Sequence, residues 1–144
     1  MPTTLKDEAA IVGIGQTKYS KNSGVSDCSL ACEAVHHEIV DSGLSVKDID
    51  GMVTFTMDAT DDIEIARTLG IPELTFQSRI PYGGGACIGT LHQAAMAVAT
   101  GSAKAVVCYR ALNGRSGQRY SEGVSGNIIT SDSLHYVMEG KLRV

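Results

Sequence analysis

The residues best suited to chemistry lie between Tyr82 and Gly101, where three consecutive glycines lead into an alanine-rich apolar helix. Glycine allows positive φ values and close approach of a ligand to the backbone, and the first turn of a helix presents unpaired N–H groups. The oxygen of a carbonyl, thioester or phosphate can bind such donors. The candidate substrate-binding residues are therefore Tyr82, Gly83, Gly84 and Gly85. The alternative is a tight turn that only lets the helix pack closely on a sheet.

Cys87, two residues after the glycines, is the candidate catalytic residue. A cysteine thiol near the start of a helix can act as a nucleophile on a thioester carbonyl. His92 lies five residues further on, about 140° around the helix, so it cannot be the base for Cys87 from that helix. The alternative is a small apolar side chain in helix–sheet packing.

Three arginines follow this helix, at positions 110, 115 and 119. The fork-shaped guanidinium groups are suited to binding a phosphate or a carboxylate. Arg115 and Arg119 are therefore candidate substrate-binding residues. The alternative is a solvated loop in which these charges only face water.

Two other patterns point to cofactors but are incomplete. The motif Gly13-Ile14-Gly15 follows an apolar run, as in dinucleotide-binding proteins, but the third glycine is missing and no helix begins there. Cys28, Cys32 and His36 line one face of a helix at four-residue spacing. One helix with three ligands and no outside partner is a poor zinc site, so a packed core is favoured and no metal is predicted.

The elements that must position these residues alternate between strands and helices. Apolar and β-branched runs predict strands at 9–15, 51–57, 73–77 and 103–112, and capping residues with amphipathic spacing predict helices at 26–42, 61–69 and 86–100. This alternation is typical of parallel βαβ units in a three-layer α/β/α arrangement. Residues 1–112 are predicted to form this partial α/β domain, and the polar, glycine-rich segment 113–144 is predicted to be a loop excursion and a tail.

Composition limits the classes of function. The chain has 144 residues, 43% of them hydrophobic, which suffices for one domain with a core. A net charge of −4 argues against nucleic acid and anionic membranes as partners. The sequence has no apolar run long enough to span a bilayer, and its first ten residues lack the apolar centre of a secretion signal, so a cytoplasmic location is expected. The four cysteines are expected to be reduced thiols.

Four blocks resemble, in order and spacing, the N-terminal part of thiolase-superfamily enzymes. They are AAIVGIGQTKYSKNSG, DSGLSVKDIDG, the block from Tyr82 to Gly101, and AVVCYRALNGRSGQR. The chain is most similar to the thiolase-like lipid-transfer proteins of actinobacterial steroid degradation, which are related to the thiolase domain of sterol carrier protein X. The resemblance covers about residues 9 to 120.

The resemblance implies a thiolase fold, a homodimer and coenzyme A thioesters as substrates. Coenzyme A then enters as part of the substrate, and no separate cofactor is expected. The resemblance also implies a retro-aldol cleavage that removes a short acyl-CoA from a sterol side chain, with an OB-fold partner of the DUF35 type. The acid/base tyrosines and histidines of the family belong to its C-terminal half, so none is assigned here.

One departure from true thiolases separates two reactions. In those enzymes the nucleophilic cysteine opens a Cys-x-Ser-Gly block about 17 residues before the glycine that ends the helix. Counting back from Gly101 places Gly84 at that position, and Cys87 is one helical turn late. The resemblance therefore favours an aldolase over acyl transfer. The alternatives are an acyltransferase that uses Cys87 and a truncated, non-catalytic interaction subunit.

Overall fold

The computed structural model describes residues 4–55, 60–80 and 85–115. In chain order the elements are α1 (Asp27–Ser42), a 3₁₀ turn (Val46–Asp48), β1 (Gly51–Phe55), α2 (Asp62–Leu69), β2 (Phe76–Ile80), α3 (Ala86–Ala99) and β3 (Val106–Cys108). The three strands form a parallel sheet in the order β2-β1-β3. The predicted α/β class and the parallel pairing are confirmed.

The ends of α1 and α2 follow local capping chemistry. The Ser26 hydroxyl accepts the Ser29 N–H at 3.1 Å, and α1 ends at Gly43, whose φ of 71° requires a left-handed conformation. Asp61 caps α2 in the same way, and α2 ends at Gly70. These residues form the predicted caps and stops, so both helices have nearly the predicted bounds.

The order of the strands places helices on both faces of the sheet. The chain moves from β1 to β2 on one side through α2, then returns past β1 to β3 through α3. Because parallel crossovers are right-handed, this reversal of direction puts α2 and α3 on opposite faces. The neighbouring residues Gln77 and Ser78 show this: Gln77 bonds Asp62 of α2, and Ser78 bonds Gln93 of α3.

The core lies around β1, the central strand, all five residues of which are buried. Met52 belongs to a cluster with Val35 of α1 and Ile65 of α2, all three with no exposed surface. Val53 points to the opposite face, where α3 packs. The near-continuous apolar sequence of β1 reflects this burial on both faces.

The predicted first strand is wrong. Residues 9–15 belong to no strand in the described ranges. They lie along α1, where a Cβ added to either of their glycines would overlap the backbone of Glu38, and the Ile14 N–H donates to Asp41 at 2.9 Å. The two glycines therefore allow this segment to lie close to the backbone of α1. The side chains of Ile11 and Ile14 are 72% and 76% exposed.

Two strand predictions had the wrong bounds. The strand predicted at 73–77 begins at Phe76 and runs to Ile80, because Phe76 is the residue that pairs with Gly51 at the start of β1. The strand predicted at 103–112 has only three residues, which pair with Gly51, Met52 and Val53. The bounds of both strands are set by their pairing with β1, and the local sequence carries no information about this pairing.

Helix α3 is less buried than its apolar sequence predicts. Ile88, Leu91 and Met96 are 66%, 43% and 38% exposed, whereas Thr90 and Ala97 are buried against the sheet. Gly85 and Cys87, at the start of α3, are also exposed. None of the helices in the described ranges combines the length and apolar character needed to cross a membrane.

Candidate functional site at the carboxyl edge of the sheet

The three parallel strands end at one edge of the sheet, at Phe55, Ile80 and Cys108. The far end of α3 lies at the opposite edge, where Thr75 donates to the Ser102 carbonyl at 2.9 Å. The start of α3 is therefore at the carboxyl edge. Ligands of open α/β sheets bind at this edge, so the elements place the predicted glycine–helix junction where a ligand site is expected.

Of the predicted binding residues, only Gly85 and Arg115 can be located. Tyr82, Gly83, Gly84 and Arg119 lie outside the described residues. Gly85 is the exposed N-cap of α3, and a Cβ added there would meet no atom of the described residues within 4 Å. The open space is compatible with ligand approach, and the binding role of the glycines stays a prediction.

Cys87 is exposed in the first turn of α3. The Thr90 hydroxyl donates to the Cys87 carbonyl at 2.6 Å, and the Cys108 thiol donates to the Thr90 carbonyl at 3.7 Å. These bonds fix the first turn of α3 to β3. A thiol in this position is accessible to a thioester, and the nucleophilic role of Cys87 stays a prediction.

The arginines after β3 have different surroundings. The guanidinium carbon of Arg110 lies 5.2 Å from the centre of the Phe55 ring, a cation–π contact between the ends of β3 and β1. Arg115 is exposed in a turn, and no hydrogen bond or ion pair joins it to another residue within 4–55, 60–80 and 85–115. Asn113, between the two, donates to the Val25 carbonyl at 2.9 Å and ties this segment to the start of α1.

Sequence reasoning missed an ionic pair on the α2 side of this edge. The Asp62 carboxylate, whose side chain is 3% exposed, is 3.0 Å from Nη2 of Arg79 and also accepts a hydrogen bond from Gln77. Burial acts to raise the pKa of Asp62. The hydrogen bonds to its carboxylate, above all the one from Gln77, and the charge of Arg79 lower this pKa by more, so the net effect is a lowered pKa. Asp62 is therefore a buried anion, and Arg79 is its half-exposed partner.

The ionic pair continues into a hydrogen-bonded chain. Nη2 of Arg79 also donates to the Thr60 carbonyl at 3.3 Å, and the Thr60 hydroxyl is 3.4 Å from the Tyr109 hydroxyl. Thr60 and Tyr109 are 5% and 7% exposed. In the sequence, Asp62 lies at a predicted helix start and Arg79 follows the predicted strand 73–77, so no local signal connects them.

The other thiols are packing groups. Cys28 and Cys32 are half-buried against the core, and burial, followed by the proximity of Cys28, raises the pKa of Cys32 to about 11. Burial, with a smaller effect of Glu38, raises the pKa of Cys108 to about 12. His36 is exposed. Within the part of the chain that the structure describes, no three His, Cys, Asp or Glu side chains are placed to hold a metal ion.

A groove of about 330 Å³ lies away from this edge, between the outer edge of β2 and α3. Its lining residues are Phe76, Gln77, Ser78, Gln93, Met96, Ala97, Thr100 and Ser102. The groove runs toward the amino edge of the sheet and contains neither Gly85 nor Cys87. It is therefore distinct from the predicted thioester site.

Comparison with known proteins points to one group of enzymes. The chain is 59% identical over 124 residues to a steroid side-chain-cleaving aldolase of Thermomonospora curvata. It is 58% identical over 118 residues to a 17-hydroxy-3-oxo-4-pregnene-20-carboxyl-CoA lyase of Mycobacterium tuberculosis. The chain is related to steroid side-chain aldolases. Both names describe carbon–carbon lyases, which is the enzyme class that the resemblance implies.

A solved structure agrees with the sequence relatives. A chain in the structure of the Ltp2-ChsH2(DUF35) aldolase matches 94% of this chain, with a TM-score of 0.78 and 53% identity. The matches cover 86% and 82% of this chain but only 32% and 31% of the two sequence relatives, and 33% of the chain of known structure. The chain thus spans about a third of the length of the proteins it matches. No family model matches it.

Proposed function

We propose that this chain is the N-terminal part of a thiolase-like lipid-transfer protein that acts as a carbon–carbon lyase on a steroid coenzyme A thioester. The similarity of more than four fifths of the chain to steroid side-chain aldolases supports this most strongly. The helices on both faces of the parallel sheet support a thiolase-like three-layer fold. The glycine–helix junction at the carboxyl edge supports a thioester site there.

The name of one relative specifies a substrate suited to retro-aldol chemistry. A 17-hydroxy steroid with a 20-carboxyl-CoA group is a β-hydroxy thioester. A base removes the proton of the 17-hydroxyl, the bond between carbons 17 and 20 breaks, and its electron pair moves into the thioester as an enolate. Protonation of carbon 20 then gives propionyl-CoA, and carbon 17 becomes a ketone.

In this proposal the residues of the chain bind the thioester and stabilise the enolate oxygen. Backbone N–H groups at the start of α3, beside Gly85, are donors of the kind that stabilise a developing oxyanion. Arg115 and Arg119 bind the phosphates of coenzyme A. Coenzyme A is part of the substrate, and no other cofactor is required by this reaction. The acid and base belong to the family's C-terminal half.

A second candidate is acyl transfer through Cys87, which the exposure of this thiol favours. Iodoacetamide labelling at near-neutral pH, followed by peptide mass spectrometry, tests it. Labelling of Cys87 that an acyl-CoA prevents would support acyl transfer. An unreactive Cys87 in the folded chain would rule it out.

Two partners belong to the proposal. Among the described residues β2 is an edge strand, and this edge with the groove beside it supports a homodimer, because an edge strand is a ready site for a second chain. The solved aldolase carries DUF35 in its name, which supports a DUF35 OB-fold partner for this chain. Co-purification of such a partner without turnover would instead favour a non-catalytic interaction subunit.

A product assay separates these functions. The whole protein of which this chain is the proposed N-terminal part, alone and mixed with a DUF35 protein, is incubated with a 17-hydroxy-20-carboxyl-CoA steroid, and the products are measured by mass spectrometry. Equal amounts of propionyl-CoA and 17-ketosteroid are the expected result. Free coenzyme A with an acylated Cys87 would identify acyl transfer. Absence of either product in both mixtures would contradict a lyase.

A further inference from the structure

A row of side chains crosses the sheet just inside the carboxyl edge, on the α2 face. Thr54 of β1 is in register with Arg79 of β2, and because Val53 is in register with Cys108, Tyr109 follows on the other side of Thr54. Thr60, which begins the next described range, reaches both ends of the row: its carbonyl accepts from Arg79, and its hydroxyl is 3.4 Å from that of Tyr109.

This row is held by a buried charge. Asp62 has almost no exposed surface, and its Oδ1 atom is 3.0 Å from Nη2 of Arg79. The same nitrogen donates to the Thr60 carbonyl, so Arg79, which Asp62 holds, also contacts the residue just before the cap of α2. Separating a buried carboxylate from its cation strongly destabilises a folded protein. Asp62 therefore keeps Arg79 in place beside it.

The row also lies beside contacts that join the ends of the three strands, where the chain leaves the sheet. Arg79 is the penultimate residue of β2, and Arg110, directly after Tyr109, lies over the ring of Phe55, the last residue of β1. The ends of all three strands are therefore connected through side chains. Any ligand that binds at this edge meets a surface whose shape depends on these connections.

We propose that Arg79 is a positioning residue for the carboxyl-edge site. Held by Asp62, it fixes Thr60, and through the Thr60 hydroxyl it fixes Tyr109 and the end of β3. The proposal rests on the proposed function, because the ligand is taken to be an acyl-CoA thioester. Arg79 acts through Thr60 and Tyr109 and need not contact the thioester itself.

The amino edge of the sheet offers a matched control. There the Thr75 hydroxyl donates to the carbonyls of Asp50 and Ser102 at 3.1 and 2.9 Å, which joins β1 and β2 to the end of α3. Thr75→Val removes this connection without touching the carboxyl edge. It measures how much a lost cross-link lowers the melting temperature by itself.

The experiment combines calorimetric titration with propionyl-CoA and thermal unfolding followed by circular dichroism. The variants of the chain are Arg79→Met, Arg79→Lys, Tyr109→Phe, the double variant Arg79→Met/Tyr109→Phe, and Thr75→Val. Lysine can still donate to Asp62 and Thr60, so it is the conservative replacement. Tyr109→Phe decides the question if Arg79→Met does not fold.

The expected results are as follows. Arg79→Met and Tyr109→Phe each weaken propionyl-CoA binding about tenfold. The double variant loses little more than the larger single loss, because both act on one chain of contacts. Arg79→Lys recovers most of the affinity. Thr75→Val lowers the melting temperature but leaves the affinity unchanged.

Three results would overturn the inference. Unchanged affinity in Arg79→Met and Tyr109→Phe, with wild-type binding intact, would reject the positioning role alone. Equal loss of affinity in Thr75→Val would show that binding only follows global stability. Absence of binding by the folded wild-type chain would remove the proposed function together with this inference.

Discussion

Glu38 provides a quantitative test of the packing between α1 and the N-terminal segment. Its backbone lies against Gly13 and Gly15, and its side chain is half-buried near Cys108. Burial raises the pKa of this carboxyl from 4.5 to about 7. The neighbouring thiol has a pKa of about 12 and stays neutral through this range.

The sign of the pH dependence follows from this pKa. The folded chain favours the protonated carboxyl more than the unfolded chain does, so this stabilisation is fully present below pH 4.5. It is lost as the pH rises through about 7. The difference between the two pKa values corresponds to about 3 kcal/mol of unfolding free energy.

Urea denaturation at pH 5 and pH 8 measures this effect. In Glu38→Gln the side chain is neutral at both pH values, so the variant should lack the loss of about 2.5 kcal/mol in unfolding free energy that the wild-type chain shows between pH 5 and pH 8. The matched control is Glu33→Gln, an exposed position of the same helix, which should follow the wild type. If Glu38→Gln and wild type show the same dependence on pH, the reasoning about this buried carboxyl is refuted.

Three further changes test other parts of the structure. Thr54→Val should raise the unfolding free energy by about 1 kcal/mol in urea denaturation, because the buried Thr54 hydroxyl has no hydrogen-bond partner within the described residues; a decrease would show that it has one. Gly15→Ala should lower the unfolding free energy by about 2 kcal/mol, because its Cβ would overlap the backbone of Ala34 and Glu38; an unchanged value would mean that residues 9–15 do not lie against α1. Met96→Lys, in the groove beside β2, should convert a dimer to a monomer in light scattering, and a wild-type chain that is itself a monomer would contradict the proposed dimer.

Much of the fold was predictable because its signals are local. Ser26 and Asp61 cap their helices within three residues, and Gly43 and Gly70 end them through a left-handed conformation. The segment 9–15 was not predictable in this way. Its apolar run is typical of a strand, and its position along α1 depends on contacts with residues at least 19 positions away.

One part of the candidate site was also predictable from local sequence signals, and another part was not. The position of Cys87 at the start of α3 follows from the glycine run and the helical pattern after it, but the exposure of its thiol does not. The contact between Asp62 and Arg79 does not, because it requires both the crossover through α2 and the register of β2 on β1. Asp62 and Arg79 are 17 positions apart in different elements, so no periodic pattern in the sequence indicates that they are in contact.

The central claim is that an acyl-CoA thioester binds at the glycine–helix junction of the carboxyl edge. Calorimetric titration of propionyl-CoA tests it on wild type, on Gly85→Trp, where an added Cβ meets no atom of the described residues within 4 Å, and on Leu44→Trp at the opposite edge. The account predicts binding by wild type and Leu44→Trp and none by Gly85→Trp. Unchanged binding by Gly85→Trp, or no binding by a folded wild-type chain, would contradict it.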